Sequence, residues 1–298
     1  IKNKNILITG AGGSIGSELC KQIYFNNPKS IILLDNNEYN LFNIDNYLTN
    51  LQKYNQKNIS IIPKITSIRN YNKIEEIFKD YNIDQVYHCA AFKHVSLLES
   101  NIYEAFENNV TGTKHLIELS YKYNVKNFLM ISTDKAVKPT SIMGSTKRIS
   151  EILLNGMNNL IRSKNLNNNF YTVRFGNVYG SNGSVIPLFY EQIKNFKKVT
   201  VTHKDVTRYF MTIKEAVILV LESALLKSKS NLFVLDMGQP IRILDLAKKI
   251  INLSGYSYKY NDKDKGDILI EFIGLKKGEK LHEELSYNKE LSSTSNEY

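Results

Sequence analysis

Short apolar runs alternate with stretches of helical periodicity through the first half of the chain. The runs show little alternation of polar and apolar residues, which is typical of strands buried on both faces of a parallel sheet. We interpret five of them as strands, at residues 5–10, 30–35, 59–65, 85–90 and 127–133. The segments between them predict helices, the first from Ser14 to about Phe25. This order predicts an α/β fold with a Rossmann-like, doubly wound parallel sheet.

The pattern loosens after residue 176, where short strands and loops replace the regular alternation. One apolar helical stretch, at 213–226, is expected to return to the first unit. We therefore assign residues 1–176, with about 212–236, to a cofactor-binding Rossmann domain. Residues 177–211 and 237–298 are assigned to a smaller C-terminal lobe that binds the substrate.

Composition and charge argue against a disordered, a membrane-spanning and a nucleic-acid-binding protein. Hydrophobic residues make up 42% of the chain, enough for a folded core, and no apolar run is long enough to cross a membrane. The net charge of +10 could indicate a nucleic-acid partner, but the lysines are scattered and form no arginine-rich stripe, so we expect none.

The spacing of the cysteines and histidines bears on the cellular compartment and on whether a structural metal is expected. Cys20 and Cys89 are far apart, and the five histidines show no ligand-like spacing. We therefore expect a reduced, cytoplasmic protein without a structural metal and without membrane contact from this chain. A membrane anchor upstream of residue 1 is left open.

A glycine-rich turn follows the first strand directly and opens the first helix, in the stretch "ITGAGGSIGSE". Gly10 allows a tight turn, Gly13 lets the backbone approach a pyrophosphate, and Gly16 lets the helix pack on the strand. The helix N-terminus then offers free N–H groups to phosphates. This context favours a dinucleotide-binding turn over a generic glycine turn.

Asp35 ends the second strand, where a carboxylate accepts hydrogen bonds from the ribose hydroxyls of adenosine. It would repel a 2′-phosphate, and Asn36 and Asn37 offer no arginine to bind one. The position therefore favours NAD over NADP. The alternative is that Asp35 caps the N-terminus of the next helix.

An acid and two lysines follow the fifth strand, in the stretch "STDKAVKPTSIMGSTK". Thr133 and Asp134 lie at its carboxyl end, the edge where doubly wound sheets bind ligands. Met143 and Lys147 are four residues apart on a helix and share one face, so Lys147 points back at the strand end. Lys135 beside Asp134 suggests proton transfer, with a surface ion pair at a turn as the alternative.

Several longer motifs run from about residue 4 to 285, namely "AAFKHVSLLES", "NNVTGT", "STDKAVKPTSIMGSTKR", "RFGNVYGSNGSVIPLF", "VTRYFMTI" and "GLKKGEKLHEEL". Together they resemble bacterial polysaccharide-biosynthesis UDP-N-acetylglucosamine 4,6-dehydratases of the extended short-chain dehydrogenase/reductase family. The family's catalytic tyrosine aligns with Met143, and one branch of the family carries methionine there. Two departures are Ser67, where an aspartate near the adenine is common, and Lys276-Lys277, where Arg-Pro is common.

The resemblance implies bound NAD, the substrate UDP-N-acetylglucosamine and an internal redox cycle. Hydride leaves sugar C4, the C5 proton and the 6-hydroxyl are lost as water, and hydride returns to C6. In this reaction Asp134 protonates the departing hydroxyl and Lys135 takes the C5 proton. Lys147 holds the nicotinamide ribose, Thr133 bonds the 4-hydroxyl and Met143 fills the tyrosine's space. Either Asp134, or Thr133 with the ribose and Lys147, deprotonates the 4-hydroxyl.

The resemblance and the positions along the chain also imply the remaining binding residues. The expected cofactor contacts are Gly10, Gly13, Ser14, Ile15, Gly16, Asp35, Ser67, Ile68, Ala90, Ala91, Lys93, Asn109 and Lys147. The expected substrate contacts are Asn177, Ser184, Val185, Arg208, Arg242, Lys276 and Glu279. Of these, Arg208 and Lys276 should meet the pyrophosphate, and a structural salt bridge explains Arg242 and Glu279 nearly as well.

The leading hypothesis is a dehydratase that retains the C5 configuration and yields a 2-acetamido-2,6-dideoxy-4-keto sugar nucleotide for surface glycans. The alternatives are a C5-inverting dehydratase, a UDP-sugar 4-epimerase and a non-catalytic NAD-binding sensor or scaffold. An epimerase needs no elimination acid and base, so Asp134 and Lys135 argue against it. The resemblance also implies a homo-oligomer, a dimer or a multiple, paired through the helices near 102–123 and 143–161.

Overall fold

The computed structural model describes residues 1–226, 230–261, 263–287 and 294. Its strands are β1 (Asn5–Thr9), β2 (Ser30–Asp35), β3 (Ser60–Ile65), β4 (Gln85–His88), β5 (Asn127–Thr133), β6 (Asn169–Phe175), β7 (Asn177–Val178), β8 (Lys198–Val201), β9 (Thr207–Arg208), β10 (Phe210–Met211), β11 (Leu232–Val234), β12 (Ile241–Arg242), β13 (Tyr258–Lys259) and β14 (Ile268–Phe272).

The helices connect these strands in regular alternation through the first half of the chain. They are α1 (Ser14–Phe25), α2 (Glu38–Asn55), α3 (Tyr71–Tyr81), α4 (Val95–Leu98), α5 (Ile102–Phe106), α6 (Gly112–Lys122), α7 (Ile142–Ser163), α8 (Val185–Phe196), α9 (Ile213–Ser223) and α10 (Ile243–Leu253). A π-helical turn, Glu107–Thr111, joins α5 to α6, so the helix expected near 102–123 consists of three segments. A 3₁₀ turn, Asp134–Ala136, follows β5.

Seven parallel strands form the large sheet, in the order β11-β6-β5-β4-β1-β2-β3. The five predicted strands are β1 to β5 and differ from the expectation only at their ends. The strand order reverses between β1 and β4, and ligands bind at this point of a doubly wound sheet. The predicted α/β, Rossmann-like fold is therefore confirmed.

Both faces of the large sheet are covered, which explains the unalternating apolar strands. Side chains from α1, α2 and α9 pack on one face, and side chains from α3, α6 and α7 pack on the other. The strand β2 is buried along its whole length. Burying apolar surface on two faces at once is the main favourable contribution to the stability of such a sheet.

The later part of the chain builds a second, smaller core. The parallel strands β8, β13 and β14 form a three-stranded sheet against which α8 and α10 pack. Two short pairings form separate two-stranded sheets: β7 pairs with β10 in parallel, and β9 pairs with β12 in antiparallel orientation. The division of the chain into two domains remains a prediction. Residues 227–229 of the assigned Rossmann domain and residues 262, 288–293 and 295–298 of the assigned lobe lie outside the described part.

Two kinds of feature are absent from the residues that the structure describes. No helix has both the length and the apolarity that a membrane span requires. No cluster of three or more His, Cys, Asp or Glu side chains is arranged to hold a metal ion.

Candidate active site

The turn after β1 is packed so closely that a Cβ would clash at several of its glycines, as Gly10 and Gly16 show. Gly10 has a φ of +66°, and a Cβ on it would lie 2.7 Å from the backbone nitrogen of Ala90. A Cβ on Gly16 would lie 2.0 Å from the carbonyl oxygen of Gly10. The turn therefore packs tightly against α1. No side chain caps the N-terminus of α1, which leaves its first N–H groups available to an anion.

A cavity of about 220 Å³ lies beyond this turn, between the ends of β1, β2 and β3. Asp35 lines it, and its carboxylate accepts hydrogen bonds from the backbone N–H groups of Gly12 and Asn37, each at 2.9 Å. Asn37 caps α2 through the N–H of Asn40, so the alternative that Asp35 is the N-cap is wrong. Both oxygens of Asp35 retain lone pairs for further donors.

Two of the predicted cofactor residues do not line the described cavities. Ile68 lines the small cavity together with Thr66, whereas Ser67 uses its hydroxyl to accept the N–H of Arg69. Asn109 is buried. Its amide oxygen accepts the backbone N–H of Phe92, and its amide N–H donates to the backbone carbonyl of the same residue. It holds the loop after β4 in place, because the π-helical turn directs it inward.

A larger cavity of about 850 Å³ runs from the glycine turn to the carboxyl end of β5. The predicted residues that line it are Gly10, Gly13, Ser14, Ile15, Gly16, Ala91, Lys93, Thr133, Lys135, Met143, Lys147, Asn177, Ser184 and Val185. Ala90 lines the adjoining small cavity. The structure therefore brings cofactor, catalytic and substrate residues of the prediction to one continuous site.

Lys147 lies on α7 and its side chain is buried in the wall of the large cavity. Burial lowers the pKa of its ammonium group to about 8, although the nearby carboxylate of Glu151 opposes this change. Cys89 lies beside it, and burial raises the pKa of the thiol to about 12, so this cysteine is a thiol at neutral pH. Lys147 therefore supplies the positive potential at this wall.

Met143 occupies the same wall one helical turn before Lys147. Its side chain is buried against Leu98 and Ala105 and also lines the large cavity. A thioether in such a place fills volume and adapts to its neighbours, but it cannot exchange a proton at neutral pH.

Thr133, Asp134 and Lys135 form one hydrogen-bonded cluster at the end of β5. The hydroxyl of Thr133 donates to Oδ1 of Asp134 at 2.8 Å, and Nζ of Lys135 donates to the same oxygen at 2.9 Å. Nζ also donates to Oδ1 of Asn177 at 3.1 Å. Asp134 is fully buried, so the alternative of a surface ion pair is wrong.

The side chain of Asp134 is buried and does not face a cavity, although it was expected to contact the sugar. Its side chain lines none of the three cavities described here, whereas Thr133 and Lys135 line the large one. The free oxygen Oδ2 lies behind Gly176, where a Cβ would come within 3.2 Å of it. Asp134 therefore contacts the cavity through its two hydrogen-bonded neighbours.

Glu283 is an acidic residue of the site that sequence reasoning missed. Its Oε1 lies 3.8 Å from Nζ of Lys135, and its side chain is buried. The pKa of its carboxyl group is raised, mainly by burial and also by the charge of Asp134. The motif "LHEEL" contains Glu283, but nothing in it separates this residue from Glu284, which is exposed and bonded to Lys138.

A third cavity of about 310 Å³, the lobe cavity, opens toward the smaller core. Arg208, Lys276, Glu279 and Glu283 line it, and Lys135 lines both this cavity and the large one. Nη2 of Arg208 donates to Oε1 of Glu279 at 2.9 Å, so these two residues form the salt bridge that the sequence left as an alternative.

Arg242 does not reach any of the three cavities. Its side chain is exposed and lies 3.7 Å from Asp245 on the same helical turn. The pairing of β12 with β9 places Arg242 opposite Thr207 and turns it away from Arg208. The expectation that Arg242 contacts substrate is therefore not supported by the structure.

The family model described as "Polysaccharide biosynthesis protein" matches residues 6–297. The chain belongs to this polysaccharide biosynthesis family. Capsular polysaccharide biosynthesis protein CapD of Staphylococcus aureus is 47% identical over 98% of the chain, which covers 46% of CapD. The chain thus spans about half the length of this relative. The predicted family is confirmed.

Two other proteins that are similar in sequence to this chain are named as enzymes. A UDP-glucose 4-epimerase of Rickettsia bellii is 33% identical over 97% of the chain and 80% of its own length. A UDP-N-acetylglucosamine 4,6-dehydratase (inverting) of Campylobacter jejuni is 31% identical over 94% and 76%. The X-ray structure of Pen from Bacillus thuringiensis superposes with a TM-score of 0.84 at 36% identity, covering 96% of this chain and 84% of Pen.

Proposed function

We propose that the chain is an NAD-dependent UDP-N-acetylglucosamine 4,6-dehydratase that retains the configuration at C5. The observation that carries this proposal is the position of Lys135 at the junction of the large and lobe cavities, with carboxyl groups of Asp134 and Glu283 beside it. Elimination of water needs an acid and a base at one sugar ring, which an epimerase does not. A non-catalytic scaffold would not need this cluster.

The residues of the large and small cavities fit a bound NAD. The Gly10–Gly16 turn would hold the pyrophosphate, Asp35 the adenosine ribose and Lys147 the nicotinamide ribose. When bound, NAD would accept a hydride from C4 of the sugar and return it to C6.

The chain's own residues would move the protons. Lys135 takes the proton from C5, which the neighbouring ketone has made acidic, and a carboxyl group of the cluster protonates the departing 6-hydroxyl. Thr133 accepts the hydrogen bond of the 4-hydroxyl and already donates to Asp134, so this pair offers a route for the O4 proton without tyrosine. The arrangement of Lys135 and the carboxyl groups beside it supports the proposal that they act as base and acid in the elimination of water.

The lobe cavity supports a nucleotide diphosphate beside the sugar. Arg208, Lys276 and Lys280 line it and provide positive charge for the two phosphates. Retention at C5 is supported by Lys135, because one group that takes and returns a proton acts on one face of the sugar. The second candidate is inversion, which the named inverting relative favours; it requires a second proton donor, and His94 also lines both cavities.

One reaction tests the proposed function. The purified chain is incubated with UDP-N-acetylglucosamine in heavy water, and the product is followed by mass spectrometry and NMR. Loss of one water, a 4-keto signal and deuterium at C5 of unchanged configuration are expected. Inverted C5 would establish the second candidate, and a product isomeric with the substrate would establish an epimerase.

Cofactor choice gives a separate prediction. Denaturing the purified protein should release NAD with little NADP, because the carboxylate of Asp35 repels a 2′-phosphate. The released nucleotide is identified by chromatography. Release of mainly NADP would contradict the assignment of Asp35 to the adenosine ribose.

The chain is expected to pair with a second copy of itself. Apolar side chains of α5 and α7 are exposed, namely Ile102, Tyr103, Phe106, Ile149 and Ile152. We expect a symmetric dimer or a multiple of it through this surface. Ile152→Asp should shift the protein toward monomer in light scattering. Ile218→Asp is the control, because Ile218 is similarly exposed on α9, across the sheet from α7. A monomeric wild type at micromolar concentration would reject the dimer.

A further inference from the structure

Arg69 and Glu104 form an ion pair that none of the proposed proton or hydride transfers uses. Nη1 of Arg69 donates to Oε2 of Glu104. Arg69 belongs to the turn of residues 66–70, between β3 and α3, whereas Glu104 lies on α5, 35 residues later. The pair therefore ties together two segments that the chain itself does not join directly.

The turn of residues 66–70 is a wall of the small cavity, which Ile68 lines. The hydroxyl of Ser67 accepts the backbone N–H of Arg69 at 3.2 Å. Ile68 packs so closely on α6 that a Cβ at Gly112 would lie 2.6 Å from its side chain. The side chain of Arg69 therefore leaves this wall from a backbone that is held in place by its own contacts.

One face of α5 runs along both the large and the small cavity. Asn101 and Glu104 line the large cavity, and Asn108, on the π-helical turn that continues α5, lines the small one. These three residues are spaced by three and four positions, so they share one side of the helical backbone. Glu104 lies between the other two on this face, and the arginine that it binds comes from the turn that walls the small cavity.

A dinucleotide in both cavities would lie along these two walls. The cavities share lining residues, among them Gly10, Gly13 and Phe92, so they form one cleft. The helix α5 has only five residues, and the turn before α3 belongs to no helix or strand, so few backbone hydrogen bonds oppose their separation. A charge-assisted bond between an arginine and a carboxylate is a strong kind of side-chain tie between such segments.

The proposed reaction requires that the cofactor stays bound through each cycle. A hydride leaves C4 and returns to C6 of the same sugar, so loss of the cofactor between the two transfers would leave the sugar as a ketone. The oxidised cofactor is restored at the end of the cycle, so slow release does not limit turnover. A site that holds its dinucleotide firmly therefore suits this reaction.

We propose that Arg69 and Glu104 act as a clasp that retains the bound dinucleotide. The clasp holds the turn of residues 66–70 to α5, so that two walls of the cofactor cleft stay together, and it takes no part in the chemistry. This inference rests on the proposed NAD-dependent function. The two side chains are 36% and 47% exposed, so solvent and salt weaken the pair, and its effect is modest and sensitive to ionic strength.

The test measures how fast the holoenzyme loses NAD in the absence of sugar. Protein that carries radiolabelled NAD is mixed with an excess of unlabelled NAD, and the bound label is followed by rapid filtration. Arg69→Gln and Glu104→Gln should each lose label about 2- to 5-fold faster than wild type, as expected for a partly exposed charge pair. The double variant should lose label no faster than either single variant, because one interaction can be removed only once.

Exchange of the two charges gives a sharper form of the same test. Arg69→Glu together with Glu104→Arg restores an opposite pair and should recover slow release of NAD. Arg69→Glu alone should release NAD fastest of all the variants, because two carboxylates then face each other. Salt at about 1 M should bring the wild type close to the rate of Arg69→Gln, since it screens exposed charges.

Glu118→Gln is the matched control. It removes the ion pair of Glu118 with Lys114 on α6, whose side chains are similarly exposed and line none of the three cavities. This variant should lose NAD at the wild-type rate. Melting gives a second measurement: without NAD, the Tm of Arg69→Gln should match that of the control, whereas the rise in Tm on adding NAD should be smaller.

Two outcomes would overturn the clasp. One is release of NAD by both single glutamine variants at the rate of the Glu118→Gln control. The other is a double variant whose acceleration is the product of the two single effects, because the two residues would then act independently. A wild type that binds no dinucleotide would instead reject the proposed function together with the clasp, so the two kinds of failure are distinct.

Discussion

Replacing Lys135 with alanine should stop the loss of water while leaving oxidation at C4 possible. Lys135 is placed to take the C5 proton, and its amine lines both the large and the lobe cavity. Loss of a general base typically costs about 10² to 10⁴ in rate. With UDP-N-acetylglucosamine, the variant should reduce its bound NAD, and the absorbance of reduced nicotinamide should persist. Stopped-flow absorbance and product mass measure the two steps separately.

Met143→Leu is the control for Lys135→Ala, because both residues line the same cavity. Leucine fills nearly the same volume as methionine and should change the rate little. Met143→Ala should cost more, since it removes packing against Leu98 and Ala105. If Met143→Leu loses as much activity as Lys135→Ala, methionine has a chemical role, and the division between acid–base residues and a space-filling residue is wrong.

Replacing Arg174 with methionine should lower the free energy of unfolding by about 3–5 kcal/mol, as expected when one partner of a buried ion pair is removed. The side chain of Arg174 is buried, and its Nε and Nη2 donate to the two carboxylate oxygens of Glu151 at 3.2 and 2.8 Å. Its removal leaves the buried carboxylate of Glu151 with fewer donors. Urea denaturation measures the change.

Two further variants separate the ion pair from general effects of losing an arginine. Arg162→Met removes an exposed arginine from the last turn of α7 and should change stability by no more than about 0.5 kcal/mol. Replacing Arg174 and Glu151 together with methionine and leucine should recover part of the loss, because no unpaired charge remains. A single variant as stable as the Arg162 control would show that the buried pair contributes little.

Most of the large sheet could be predicted from the sequence because its signals are local. A strand buried on both faces must be apolar along its length, and β2 shows this directly. The glycine turn is equally local, since Gly10 and Gly16 are six residues apart and the contact between them excludes a Cβ. Thr133, Lys135, Met143 and Lys147 were placed together correctly because one strand end and the next helix carry them all.

The sequence could not assign the roles that depend on burial. Asn109 was expected to contact the cofactor, but the π-helical turn directs its amide to the backbone of Phe92. Asp134 follows β5 as predicted, but its full burial was not visible from the pattern. The amide of Asn109 bonds to a residue 17 positions earlier in the chain. Asp134 is buried beside Gly176, which belongs to a later part of the chain.

The sequence by itself determined the doubly wound fold, the glycine-rich turn and the position of Asp134 and Lys135 after β5, since each depends on residues within one strand–turn–helix unit. Only the tertiary structure decided which of two adjacent acids faces that pair. Glu283 and Glu284 are chemically identical neighbours, and the contacts of Lys280, Lys138 and Arg174 with the segment around them direct one inward and the other to the surface. Those contacts span more than a hundred residues of chain, a distance over which hydrophobic periodicity carries no information.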